Sequence, residues 1–262
     1  MIPKKIHYCW FGKNPLPEDA KKYIESWKKY CPDYEIKEWN EDNFNLDMYP
    51  YVREAYENKK FAFVSDVARL YALYNEGGFY MDTDVELIKP LDDFLKYDGV
   101  SGFESSTQIP TGLMASRDLH PLVKEWLEDY EGKHFIKEDG SFDLTTNVTR
   151  ITNICLKHGF KPNSKLQTIA EYTFFPSDYF CPKDCNTGII KITKNTYAIH
   201  HFAGSWLTDD TKALVELSKK VHRIVRIKFL AKFVLIMIGI TRRVKRDGIK
   251  KAFSYYKTQL KK

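Results

Sequence analysis

The sequence predicts an α/β fold, and three observations carry that prediction. Over the first ninety residues apolar positions follow strand and helix periods in the order β-α-β-α-α-β, the pattern of a nucleotide-binding α/β half. The 262 residues suffice for one sizeable domain, or for a domain with an appendage. The composition is globular, with 43% hydrophobic and 15% aromatic residues.

The elements follow in order. Lys4 to Phe11 alternates and then turns apolar, a buried first strand ending at Gly12. Trp10 lies at its carboxyl end, where ligands gather in open α/β sheets, although a core tryptophan would read the same. Leu16 to Tyr30 is a helix with Pro17 in its first turn and Trp27 on its apolar side; Pro32 ends it. Tyr34 to Trp39 is a second strand, Asn43 to Tyr49 a loop or short helix, and Val52 to Asn58 a helix. Further on, Val100–Glu104 and Gly112–Ala115 read as strands, Pro121–Tyr130 and Leu144–His158 as helices. Thr173–Pro176, Gly188–Ile192 and Tyr197–His201 read as short strands.

The chain is organised around Phe63 to Leu91. Ser65 or Asp66 can cap a helix there, since a short polar side chain accepts from orphan first-turn N–H groups. Val67, Leu70, Tyr71 and Tyr74 follow at helical spacing, and Gly77-Gly78 stops the helix. Phe79 to Leu87 then reads as a strand whose alternation puts Asp82 and Asp84 on one face. Two parallel carboxylates repel, and a divalent cation with hard oxygen ligands, Mg²⁺ or Mn²⁺, would neutralise them. Asp-x-Asp alone is a weak signal, because most exposed acidic pairs are solvated surface. Its context strengthens it: Asp66 and Arg69 are three apart on one helix face, near a core where unpaired charge is costly. A structural ion pair is the plain reading; Arg69 near phosphate and Asp66 near sugar hydroxyls is the functional one.

Charge divides the chain. Lys212 to Lys262 holds 16 basic and 2 acidic side chains, leaving 25 basic and 33 acidic in residues 1 to 211. Within the tail, Val221, Ile224, Ile227, Ala231, Val234, Leu235 and Ile238 keep helical spacing, and Arg242, Arg243, Lys245 and Arg246 form a basic cluster. Such helices suit an anionic membrane surface, at about 1 kcal/mol per nearby cation; a hairpin packed on the domain with a solvated basic face is the alternative. Nucleic acid is excluded as a partner because no base-reading module accompanies the charge. The expected organisation is a catalytic domain over 1–210 and a basic amphipathic helical extension over 211–262. The start has no signal-peptide pattern and no stretch of about 20 apolar residues occurs, and five cysteines without zinc-finger spacing suit reduced thiols in the cytosol.

Three blocks carry a family resemblance. They are Ile2-Pro3-Lys4-x-Ile6-His7-x-x-Trp10-x-Gly12; Ser65-Asp66-x-x-Arg69 with Gly77-Gly78-x-Tyr80-x-Asp82-x-Asp84; and His200-His201 followed by Ser205-Trp206. Together they resemble the DXD-motif glycosyltransferase family of capsular polysaccharide glycosyltransferases and the yeast initiation-specific α-1,6-mannosyltransferase (glycosyltransferase family 32-like), and more distantly the clostridial glucosylating toxins. The resemblance covers roughly residues 2 to 208. Around Thr145-Thr146-Asn147 the chain departs from the Gly-Pro pair that relatives often carry, so no residue role is carried over there.

The resemblance implies a GT-A-type fold with a mixed central sheet and a retaining hexosyltransferase using a nucleotide-diphosphate sugar, with UDP-galactose or UDP-glucose favoured over GDP-mannose. It implies Asp82 and Asp84 as metal ligands for Mn²⁺ or Mg²⁺ and Asp66 on sugar hydroxyls. Arg69 would lie near phosphate, with Trp10, Tyr80, Ser205 and Trp206 contacting donor. One of His200 and His201 would complete the metal site; strand alternation turns only one inward, and His201 is the expectation. The implied acceptor is a glycan or lipid-linked oligosaccharide in capsular polysaccharide biosynthesis, with the enzyme peripheral on the inner face of the cell membrane. A sugar-phosphate transferase and a non-enzymatic glycan-binding membrane adaptor are the rival functions.

Overall fold

The computed structural model describes residues 1–105, 107–204 and 209–224. The chain divides into two compact units, Met1–Lys183 with Ile190–Trp206, and Asp184–Ile189 with Leu207–Lys262.

The first unit is built on a seven-stranded mixed sheet. Its strands are β1 (Lys5–Cys9), β2 (Glu35–Trp39), β3 (Gly78–Met81), β5 (Gly99–Gly102), β6 (Leu113–Ser116), β7 (Gln167–Ile169) and β8 (Tyr172–Phe175). Their order is β2-β1-β3-β6-β5-β8-β7. β1 runs parallel to β2 and β3, β6 runs antiparallel to β3 and β5, and β8 pairs parallel with β5 and antiparallel with β7. A separate two-stranded sheet pairs β4 (Val85–Leu87) with β9 (Ala198–His200). The expected mixed α/β architecture is therefore present.

Helices cover both faces. Every residue of β3 is buried, because the strand has neighbours on both edges and layers on both faces. Its alternation sends Phe79 and Met81 into one core with Ile24 and Trp27 of α1 (Glu18–Tyr30). Tyr80 points into the other, with α2 (Pro50–Glu57), α3 (Phe61–Glu76), α4 (Pro121–Glu128) and α5 (Asn147–Lys157). At the end of α3, Gly77 takes φ 63° and its N–H returns to the Leu73 carbonyl, a turn open to glycine at little cost.

Several expected elements differ. α3 starts at Phe61, so Ser65 and Asp66 lie inside it; the Ser65 hydroxyl bonds back to the Phe61 carbonyl at 3.0 Å instead of capping. The expected strand over Phe79–Leu87 is two strands, because the chain leaves the main sheet after Met81 and re-pairs with β9 from Val85. Asp82, Thr83 and Asp84 thus form a turn between sheets. Gly188–Ile192 is no strand and keeps one bridge, Lys183 to Ile190. Pro17 is the N-cap of α1, α5 begins at Asn147 behind the capping Thr146, and β7 was not expected.

In the second unit α6 (Asp209–Ile224) is described, with a Lys219–Glu216 ion pair at 2.6 Å. The remainder of the expected extension, 225–262, lies outside the described residues, as do Ser205 and Trp206.

Candidate active site

Arg69 is where the site begins. Val64, Val67 and Leu70 bury α3 against the sheet, which draws Arg69 into the interior at 5% exposure. A buried guanidinium needs partners for its fork of donors. Nη2 lies 3.2 Å from Asp66 Oδ1 and 3.3 Å from Asp82 Oδ1, Nη1 donates to the Thr111 carbonyl at 2.7 Å, and Nε donates to the Ser65 carbonyl at 3.2 Å. The guanidinium also lies over the Tyr80 ring, 4.6 Å from its centroid. Tyr80 is itself buried and its hydroxyl donates to Asp82 Oδ1 at 2.8 Å. Tyr80, expected to contact donor, has its ring in the core, where β3 alternation turns it, and its hydroxyl against Asp82.

Asp66 is held from a second side. The Asn147 N–H donates to its Oδ2 at 3.2 Å and the Asn147 amide to its carbonyl at 2.8 Å. Burial pushes the Asp66 carboxyl up to about 6, against the pull of Arg69.

The turn after β3 presents the second carboxylate. The Asp82 N–H donates to the Gly112 carbonyl at 2.8 Å, which ties the turn to the main sheet. Asp84 is fixed from the other end: its carbonyl accepts from the His201 N–H at 2.9 Å and its Oδ2 from the Ala203 N–H at 2.7 Å. Its Oδ1 lies 3.3 Å from Nε2 of His200. Burial opposes both charges, but mutual attraction prevails, so the Asp84 carboxyl sits at about 2 and the His200 imidazole well above its usual range.

Ligand atoms of Asp82, Asp84 and His200 lie within 4.8 Å of one another. The expectation of His201 as the third metal ligand is corrected in this geometry. β9 places His200 opposite Val85 and toward Asp84, so the next residue turns away. The His201 ring stacks on Tyr23 of α1 at 4.6 Å, and its Nε2 lies 2.9 Å from Glu86 Oε2. Two carboxylate oxygens and an imidazole nitrogen are a donor set suited to a divalent cation, and they converge on one spot. Trp10 stands half-buried beyond β1, its indole N–H donating to the Asn14 carbonyl at 2.6 Å.

Four participants escape a reading of sequence. Thr111 and Gly112 act through backbone carbonyls, and Asn147 is one asparagine in a polar run. Glu104 follows β5, and its carboxyl is raised by burial, with His200 opposing and Asp82 and Asp84 adding to the rise. No local pattern marks it; only the fold brings it near the acidic pair.

Residues 17–100, which include Asp66, Arg69 and the acidic turn, match the family described as glycosyltransferase sugar-binding region containing DXD motif. The chain is 27% identical over 202 residues to an uncharacterized glycosyltransferase of Acanthamoeba polyphaga mimivirus, covering 71% of this chain and 77% of the other. It is 32% identical over 130 residues to inositol phosphoceramide mannosyltransferase 3 of Schizosaccharomyces pombe, 47% of this chain but only 35% of that enzyme. Among solved structures, the PaToxG glycosyltransferase superposes with a TM-score of 0.44 at 20% identity, covering 60% of this chain and 68% of that one. The galactosyltransferase LgtC, crystallised with donor and acceptor sugar analogs, gives 0.42 at 13% identity, over 82% and 94%.

Proposed function

We propose that the chain is a retaining, metal-dependent glycosyltransferase that moves a hexose from a nucleotide-diphosphate sugar to a glycan acceptor. The observation that carries this reading is the convergence of Asp82, Asp84 and His200 within 4.8 Å inside a DXD sugar-binding region. These three side chains would hold Mn²⁺ or Mg²⁺, which as a Lewis acid supplies charge neutralisation for a departing diphosphate. The imidazole in the set favours Mn²⁺ over the harder Mg²⁺.

The remaining residues bind and orient. Arg69 fixes Asp82 and Asp66 in one geometry, and its buried position lets it act as a preorganised donor. Asp66 would accept from sugar hydroxyls through a carboxylate held by Asn147. Cleavage at the sugar carbon has oxocarbenium character; we assign front-face attack by the acceptor hydroxyl, with the leaving phosphate taking its proton. Trp10, Ser205 and Trp206 remain the proposed donor contacts.

UDP-galactose or UDP-glucose is the proposed donor and a lipid-linked glycan of capsular polysaccharide synthesis the proposed acceptor. Mannose from GDP-mannose is the second reading, favoured by the name of the S. pombe relative. Among the described residues no helix is long and apolar enough to cross a membrane. The proposed placement is peripheral, on the inner face of the cell membrane, through the basic residues between 212 and 262.

Donor hydrolysis tests the reading. The protein is given Mn²⁺ and a panel of UDP- and GDP-sugars without acceptor, and free nucleoside diphosphate is followed. Release from one donor, abolished by EDTA and by Asp82→Ala/Asp84→Ala, is the expected result. Absence of both release and Mn²⁺-dependent donor binding would overturn it in favour of a glycan-binding adaptor; sugar phosphate appearing in the product would overturn it in favour of a sugar-phosphate transferase.

A further inference from the structure

The bend that precedes β6 touches three residues of the site, Arg69, Asp82 and His200. The Thr111 carbonyl accepts from Arg69 at 2.7 Å, and the Gly112 carbonyl accepts from the Asp82 N–H at 2.8 Å. The third member of the acidic cluster lies against Gly112 on its side-chain face. A Cβ built there would sit 2.8 Å from His200 Cε1, 2.9 Å from Nδ1 and 3.1 Å from Nε2. Carbon and nitrogen atoms not bonded to each other do not approach so closely in a packed interior.

Gly112 does not have the positive φ that commonly makes glycine necessary. What requires glycine here is space. The surrounding backbone is also well anchored: the buried Ser101 hydroxyl is within 3.0 Å of the Leu113 carbonyl and 3.2 Å of the Pro110 carbonyl. A side chain at 112 would therefore displace the imidazole more readily than the backbone. The His200 ring can still turn about its side-chain torsions, while its main chain is paired to Val85 in β4.

We propose that Gly112 is a positioning residue of the cation site: the absence of its side chain is what seats the His200 imidazole against Asp84. This rests on the reading of Asp82, Asp84 and His200 as cation ligands. Gly112 touches no substrate in this account and acts only through His200 and the Asp82 N–H.

The test is Mn²⁺ affinity of the full chain without sugar, read from the electron paramagnetic resonance signal of free Mn²⁺. Gly112→Ala is expected to weaken binding by about 10- to 100-fold, the usual effect of disturbing a group that orients a ligand. A structural role alone would lower the melting temperature and leave this affinity unchanged. A double-mutant cycle isolates the route. In a His200→Ala background the added methyl has room, so Gly112→Ala should cost less than about twofold and should recover melting temperature lost in the single variant. Equal Mn²⁺ affinity in wild type and Gly112→Ala would overturn the proposal alone, as would an undiminished loss in the His200→Ala background. Failure of wild type itself to bind Mn²⁺ would overturn the proposal together with the cation reading beneath it.

Discussion

Nη2 of Arg69 lies 3.3 Å from Oδ1 of Asp82, so a helix that ends before the motif reaches forward to hold its first acid. The same nitrogen is 3.2 Å from Asp66, and the guanidinium is 5% exposed. Removing it would leave two carboxylates facing each other at the edge of the core. Arg69→Ala should therefore destabilise the fold by about 3–5 kcal/mol, the cost of breaking a buried ion pair on one side. Urea denaturation measures it. Arg69→Lys should recover part of that stability but not Mn²⁺-dependent donor turnover, because an ammonium cannot serve Asp66, Asp82 and the Thr111 carbonyl as a planar fork does.

The adjacent histidines should separate cleanly. His200→Ala removes a member of the acidic cluster and should lower Mn²⁺ affinity by about tenfold or more. His201→Ala breaks a Glu86 contact and a stack on Tyr23, so its effect should appear as lower stability with Mn²⁺ affinity kept within about twofold. Calorimetric titration of both variants with Mn²⁺ decides; a larger loss for His201→Ala would reverse the assignment.

Acid sensitivity should trace in part to His7. Its ring is fully buried, with Nε2 donating to the Gly77 carbonyl at 2.7 Å and Nδ1 accepting from the Trp39 indole at 3.1 Å. Only the neutral tautomer satisfies both, and burial holds the imidazole below its ordinary pKa of 6.5. The folded protein then binds fewer protons at this site than the unfolded chain just below pH 6.5, so stability falls as pH drops through that window, by up to about 1.4 kcal/mol per pH unit. Asp66, raised to about 6, contributes with the opposite sign. Comparing wild type with His7→Gln isolates the histidine: the variant should be less stable at pH 7.5 and show a flatter decline toward pH 5.5.

Helix α1 should matter to the acidic turn through the bonds it makes to β4, chief among them that of Trp27. The Trp27 indole, fully buried, donates to the carbonyl of Val85, the residue after Asp84, at 2.7 Å. Trp27→Phe keeps an aromatic ring but orphans that carbonyl, at about 1–3 kcal/mol. Thermal melting should show the loss, and Mn²⁺ affinity should fall as well if β4 shifts with its lost anchor.

Much of the frame was legible in the sequence because it is set by local periodicity. The alternation of Phe79, Tyr80 and Met81 and the helical spacing of Val67, Leu70 and Tyr74 are properties of neighbouring residues, and a strand and a helix formed over those residues. The departures have non-local causes. Val85 and Leu87 suit a strand, so nothing nearby indicates that they pair with β9 and leave Asp82 to Asp84 in a turn. Alternation correctly allowed one of two histidines to face the acids, yet choosing between them required the β4–β9 register. The holds on Arg69 and Asp82 from Thr111 and Gly112 are carbonyl oxygens, which every residue type possesses.

The break between β3 and β4 also means that the two acids are mounted on different parts of the molecule. Asp82 is referenced to the large sheet through Gly112, and Asp84 to the chain beyond β9 through His201 and Ala203. The gap between them is thus a tolerance between two separately assembled pieces, like the jaw setting of a calliper. Whatever shifts the small two-stranded sheet against the large sheet resets that gap, even where neither aspartate nor any residue beside it has changed.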